Sequence, residues 1–438
     1  MTLLRLFPAL VLSVFAMSAK AEIDIQEVTS PGGITAWLVE DHEIPFTAME
    51  IVFEGGTSLD LPSKRGGINL MAATLEEGAG EMDAQAFAEA RDALAARFGF
   101  SAGKDSVSIS ARFLTENRDK ALDLLRQAIL APRFDEAAVE RVKSQIIAGL
   151  TADARDPGAI AGQTFSALAW GVHPYATRGD GTVDSVRALT RDDVVEAHRA
   201  ALARDRMHIA VVGDVTAAEL GPLLDTLLGG LPDIGRQTPG RGQWGLDGGI
   251  TVVDFPSPQS VVLFGQPGIA RDDPDFFAAF ILNEILGGGG FEARLMDELR
   301  EKRGLTYGVT TYLAPMRYGA QMLGQVSTAN ATVAESIGLI RDEWARMAAD
   351  GVTAEELAAT KTYLTGAYPL RFDGNGQIAD ILVGMQVEGL PIDYAATRNA
   401  KIEAVTLEDV KRVAARMLQP ERLHFVVVGQ PEGVVSGE

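Results

Sequence analysis

The sequence predicts an α+β protein of two homologous halves, each a mainly antiparallel sheet covered by helices, arranged as a clam around a cleft. Three observations predict it. First, Val186-Arg187-Ala188-Leu189-Thr190 followed by Asp193-Val194 returns as Ile402-Glu403-Ala404-Val405-Thr406 followed by Asp409-Val410. Arg206-Met207-His208-Ile209-Ala210-Val211-Val212-Gly213 likewise returns as Arg422-Leu423-His424-Phe425-Val426-Val427-Val428-Gly429. Both blocks are displaced by 216 positions (402 − 186 and 422 − 206), the mark of tandem copies rather than chance. Second, strand-like and helix-like periodicities mix within each copy, the pattern of helices laid on one face of a sheet. Third, residues 229–242 between the copies are rich in glycine and proline with no apolar period, and read as a linker.

In chain order, Arg5, the apolar run Leu10–Met17 and Ala19-Lys20-Ala21 have the layout of a cleaved secretory signal over residues 1–21, so the mature chain is expected to start at Glu22, in the periplasm. The apolar stretch is too short for a stable membrane span. The first half is placed at 22–232. Within it Ala84–Phe98 has helical spacing, Ser106–Phe113 alternates like a half-buried strand, and Lys120–Ile129 and Glu136–Leu150 return to helical spacing. Thr190 is a candidate N-cap, and Ile209–Val212 is a β-branched run closed by glycine. The linker is placed at 233–249 and the second half at 250–438. Ala320–Ser327, Ala334–Met347 and Glu355–Thr365 there echo the strand and two helices of the first half, and Thr406 and Phe425–Val428 echo the cap and strand.

Composition narrows the function classes. With 438 residues, 47% hydrophobic and 23% charged, the chain has ordinary globular usage. It has no cysteine, which removes disulfides, thiolate metal sites and cysteine nucleophiles. A net charge of −21 is a poor match to nucleic-acid phosphates or anionic lipid and suits unfolded or cationic polypeptide better.

The second half carries a denser set of motifs. Gln259–Gly265 reads as an opening strand; Asp273-Pro274-Asp275, a helix Phe276–Leu286, the run Gly287-Gly288-Gly289-Gly290 and the apolar stripe Leu295, Met296, Leu299 follow. Arg300 falls on that helix's last turn, Lys302 and Arg303 suit its negative dipole end, and Gly304 is a natural residue to end it. A strand is then expected with Tyr307, Val309, Thr311 and Leu313 on one face. Four glycines without a following Lys-Ser or Lys-Thr do not make a phosphate loop. These pieces, ending in Arg300-Glu301-Lys302-Arg303-Gly304-Leu305-Thr306-Tyr307, resemble in order and spacing the pitrilysin/insulinase family of zinc peptidases, the inverzincins, in its bacterial processing-peptidase-like form. His173-Pro174-Tyr175 is similar to a second fingerprint of that family. The resemblance implies that Arg300 and Tyr307 reach across a cleft to a zinc site, the arginine holding substrate backbone and the tyrosine hydroxyl donating to the developing oxyanion. It also implies that Gly287, Gly288, Gly289 and Gly290 form a loop that receives substrate, as on the non-metal subunit of mitochondrial processing peptidase, although this loop is shorter and a plain flexible turn is the other reading.

The family's inverted zinc motif, H-x-x-E-H, is missing. Its three chemical positions hold Leu70, Ala73 and Thr74, its distal glutamate falls near Ser144-Gln145, and the five histidines (42, 173, 198, 208 and 424) include no pair three or four apart. No metal is therefore expected in this chain. Zinc and the general-base glutamate are expected in a homologous partner bearing H-x-x-E-H, with peptide or unfolded polypeptide as substrate and this chain inactive alone. A catalytically inactive scaffold or peptide-binding homologue is the alternative. Gly99-Phe100-Ser101-Ala102-Gly103 matches G-x-S-x-G, but a serine elbow needs a strand before it and a helix after, and the reverse is predicted here. Glu76-Glu77 reads as a solvated helix end.

Overall fold

The computed structural model describes residues 23–437, so the expected export segment 1–21 lies outside the described residues. The five strands of the second sheet follow the same order as five strands of the first, which carries Gln26–Thr29 as an additional edge strand. In the first, Gln26–Thr29 is followed across the sheet by Thr35–Glu40, Met207–Gly213, Phe46–Glu54, Ser106–Leu114 and Arg97–Ala102. In the second, Ile250–Asp254 is followed by His424–Gly429, Gln259–Pro267, Gln321–Ala329 and Val309–Ala314. Each sheet is antiparallel except at one pair: Trp37 opposite Ala210 in the first and Val252 opposite Val427 in the second lie on parallel strands. The duplication read from two short blocks is thus a duplication of topology, and the α+β class stands.

Helices cover each sheet because its strands are apolar on both faces. On Phe46–Glu54, Met49, Ile51 and Phe53 face the helices of their own half, while Ala48 and Val52 face the other way. That second face is covered by a helix from the opposite half. Helix Asn375–Val387 lays Ala379, Leu382 and Val383 against Trp37, Val39 and Val212. Reciprocally, helix Pro157–Trp170 lays Phe165 and Ala169 against Leu263, Val426 and Val428. Strands buried on both faces read as continuous apolar runs, which is why Ile209–Val212 and Phe425–Val428 do not alternate.

Local sequence explains the helix ends. Thr190 and Thr406 each accept from the backbone N–H three residues on, and Asp193 and Asp409 reach back to the N–H of the threonine, so both copies carry a capping box. Helix Pro157–Trp170 starts with Pro157 in its first turn and Asp156 accepting from the Ala159 N–H.

Three expectations change. Helical structure covers only Ala84–Ala93; Ala95 has φ 50°, and Phe98 lies in the strand Arg97–Ala102. Ser101 is then paired with Ser108 inside a sheet, with no elbow. Glu76 and Glu77 are not merely solvated: Arg91 donates to Glu76 at 2.9 Å and Arg141 pairs with Glu77. Residues 233–249 have no regular structure, yet Trp244 sits edge-on to Phe165 and Trp170 at 5.9 and 5.3 Å, and the Gly242 N–H donates to Tyr318 O at 2.7 Å. The segment is laid along the seam between the halves rather than hanging free. Among the described residues no helix is long and apolar enough to cross a membrane.

Candidate functional site

The segment carrying Arg300 is α-helical over Arg294–Met296 and widens to a π-helical turn over Asp297–Glu301. Leu295 and Leu299 anchor it in the core. An ion-pair network holds its outer side. Arg294 grips Glu356 with two N–H groups at 2.6 and 2.7 Å and reaches the buried Glu343 at 3.2 Å. Glu298 accepts from Lys302 and from Arg303, each at 2.6 Å, and these contacts, Lys302 first, hold its carboxyl below the usual range. Lys302 and Arg303 are therefore committed to Glu298 rather than only facing the helix dipole, a pairing legible in the i,i+4 spacing of Glu298 and Lys302.

The turn that follows is equally fixed. Gly304 takes φ +64°, the left-handed conformation glycine adopts without penalty, and its N–H donates to Arg300 O at 2.8 Å. Thr328 donates to Leu305 O and Thr306 to Ser327 O, each at 2.7 Å, stapling the turn to the neighbouring strand Gln321–Ala329. The strand begins at Val309, so Tyr307 does not share its face as expected. Tyr307 stands out from the turn at 92% exposure.

Among the described residues neither the Arg300 nor the Tyr307 side chain has a hydrogen-bond partner, and the carboxylate nearest to Arg300 is Glu301 at 3.7 Å. What Arg300 does meet was not read from the sequence. Its guanidinium lies over the Phe291 ring, 4.5 Å from the centroid. Phe291 follows the glycine run. Gly287 and Gly288 close a π-helical turn, Glu284–Gly288, that extends helix Phe276–Asn283. A Cβ on Gly287 would lie 2.5 Å from Thr311 Oγ1, so that glycine permits a close approach to the strand Val309–Ala314.

The positions of the missing zinc motif lie on helix Gly67–Thr74. Leu70 is wholly buried in the first-half core. Ala73 has no donor atom, and the Thr74 hydroxyl donates to Leu70 O at 2.8 Å and Met71 O at 3.0 Å. Ser144 donates to Glu140 O at 2.8 Å. A hydrocarbon, a methyl and two hydroxyls turned to their own helices do not fit zinc, which needs imidazole, thiolate or carboxylate. Among the described residues no three His, Cys, Asp or Glu side chains are grouped to hold a metal ion. The equivalent histidines are occupied elsewhere: His208 meets Glu54 at 2.8 Å and His424 meets Thr251 at 3.0 Å.

His173-Pro174-Tyr175 has a structural use. The buried Tyr175 hydroxyl donates to Asp105 at 2.5 Å and accepts from the Tyr318 N–H at 3.0 Å, while Arg317 of the same turn pairs with Glu54 at 2.6 Å. First-half carboxylates thus hold the turn between the second-half strands Val309–Ala314 and Gln321–Ala329.

Twin sheets clasped by reciprocal helices, an Arg/Tyr pair on a fixed turn and a helix whose zinc-motif positions carry no ligand define a peptidase-like protein. The chain belongs to the M16 peptidase family. A family model described as the peptidase M16 inactive domain matches residues 188–364. A crystal structure of a peptidase M16 inactive domain from Pseudomonas fluorescens superposes with a TM-score of 0.88 at 30% identity, covering 95% of this chain and 99% of that one. A Helicobacter pylori protein named non-peptidase homolog YmxG is 24% identical over 389 residues, 89% of this chain and 90% of its own. A Streptomyces coelicolor protein named an uncharacterized zinc protease is 26% identical over 409 residues, 90% and 87% of the two chains.

Proposed function

We propose that this inactive M16 homologue is the non-metal, substrate-gripping subunit of a two-chain periplasmic zinc peptidase. The observation that carries the reading is the contrast between its two candidate sites. The zinc positions are filled by core and self-satisfied side chains, whereas Arg300 and Tyr307 sit on a heavily braced turn with their polar atoms free. Ordering donors that make no hydrogen bond within the folded chain costs conformational entropy, and a ligand that accepts from them offsets that cost. In the proposed complex a homologue bearing H-x-x-E-H holds the zinc and the general base. Arg300 donates to carbonyl oxygens of an extended peptide, and the Tyr307 hydroxyl donates to the oxygen that becomes an oxyanion. Neither chain is expected to cleave alone.

The test is hydrolysis of a quenched unfolded peptide by the complex that co-purifies with the tagged mature chain from its own periplasm. Activity is expected to be abolished by EDTA, and Tyr307→Phe is expected to lower kcat by about 100-fold or more, the scale for losing one oxyanion donor. The name of the Helicobacter relative favours one second reading, a scaffold or peptide-binding protein without a part in catalysis. An intact complex that is inactive, or one whose activity ignores Tyr307→Phe, sinks the subunit reading and leaves that one.

A further inference from the structure

Among the described residues no carboxylate lies within hydrogen-bond distance of Arg300. Arg294, Arg303 and Arg346 around it all grip carboxylates at 3.2 Å or less, but Arg300 has Glu301 at 3.7 Å and the Phe291 ring at 4.5 Å. The distinction is chemical. A carboxylate takes up guanidinium N–H groups in its plane and cancels the charge, whereas an aromatic face attracts the cation through the ring quadrupole and leaves the in-plane donors open. Phe291 is 70% exposed, so its burial is not what places it there. It is carried by the short turn Gly290–Glu292, directly after the glycine run.

The glycines account for that placement. A Cβ on Gly288 would lie 2.7 Å from Asn283 Nδ2, one on Gly289 would lie 2.7 Å from Glu284 O, and Gly290 takes φ +65°. The run folds back tightly on the end of its own helix and then reverses, which brings the next side chain over to the segment Arg294–Glu301. From this geometry we infer that Phe291 is the positioning residue for Arg300: its ring holds the guanidinium in place of a carboxylate and keeps the N–H donors available to peptide carbonyls. The glycine run then acts on substrate through Arg300 and not by its own contact. This rests on the subunit reading above and adds to it the residue that makes Arg300 competent.

The test is binding of a fluorescein-labelled unstructured peptide to the full mature chain, followed by fluorescence anisotropy. Phe291→Leu keeps an apolar group and removes the quadrupole, Phe291→Tyr keeps both, and each is made alone and with Arg300→Ala. Phe291→Leu is expected to weaken binding about two- to fivefold, the factor matching ~0.5–1 kcal/mol for an exposed cation–π contact. Phe291→Tyr is expected to bind as wild type, and Phe291→Leu to add nothing once Arg300 is alanine. Equal weakening by Phe291→Leu with and without Arg300 would show that the ring meets peptide directly, and overturns the inference. So does a Phe291→Tyr variant as weak as Phe291→Leu. If binding responds to Arg300→Ala but ignores Phe291→Leu, this inference alone fails. A wild type that binds no peptide, or binding that ignores Arg300→Ala, overturns the subunit reading with it.

Discussion

Glu50 offers a quantitative probe of the helix exchange. It lies on strand Phe46–Glu54 at 5% exposure, on the sheet face covered by helix Asn375–Val387. Burial, reinforced by the Asp380 charge on that helix and opposed by Arg112 on the neighbouring strand, raises its pKa from 4.5 to about 8. The sign follows from linkage. The folded state binds this proton more tightly than the unfolded chain, so the stabilising contribution is complete below about pH 4.5, is lost as pH rises toward about 8, and changes no further above that. The slope inside the window is at most about 1.4 kcal/mol per pH unit for one proton. Asp60, raised by burial to about 6, titrates mainly at the acid end, so pH 6 to 8 isolates Glu50 best. Urea unfolding at pH 6, 7 and 8 is expected to show wild type losing roughly 1–2.5 kcal/mol over that interval relative to Glu50→Gln, which cannot ionise. Asp380→Asn is expected to reduce the loss by removing the second cause of the shift. Parallel stability profiles for wild type and Glu50→Gln would refute the claim that Glu50 is held neutral beneath the exchanged helix.

Two further outcomes follow from the same structure. Phe165→Ala is expected to cost about 3–5 kcal/mol, and hydrogen exchange should show the lost protection in second-half strands Gln259–Pro267 and His424–Gly429, although Phe165 belongs to the first half. Protection lost in the first half alone would contradict the reciprocal packing. Restoring the motif letters by Leu70→His, Ala73→Glu and Thr74→His together is expected to give no stoichiometric zinc by elemental analysis and a lower melting temperature, because position 70 is core and no carboxylate stands at 144. A stable variant with one tightly bound zinc would refute that.

Much of the architecture was legible because it is written in local terms. The repeated blocks, the capping threonines with Asp193 and Asp409, and the β-branched runs depend on neighbours within a few residues, and these are found where they were placed. The helix-to-strand turn at Arg97 was missed because the left-handed residue that makes it is Ala95, not a glycine. For the site, Arg300, Tyr307 and the positions without ligands could be named because the motifs around them resemble those of the peptidase family. The bracing of the turn could not, since Thr328 and Glu356 reach it from other elements.

By itself the sequence determined that there are two copies of one α+β unit, that the metal ligands are gone, and that an arginine and a tyrosine remain seven positions apart, because these are matters of residue identity and period. Only the tertiary structure decided which helix covers which sheet, that residues 233–249 follow the seam, and that Arg300 rests on Phe291 with no carboxylate in hydrogen-bond reach among the described residues. Those outcomes turn on which apolar face or which charge a side chain meets across the fold. A periodic pattern states that a face must be covered, and only packing selects what covers it.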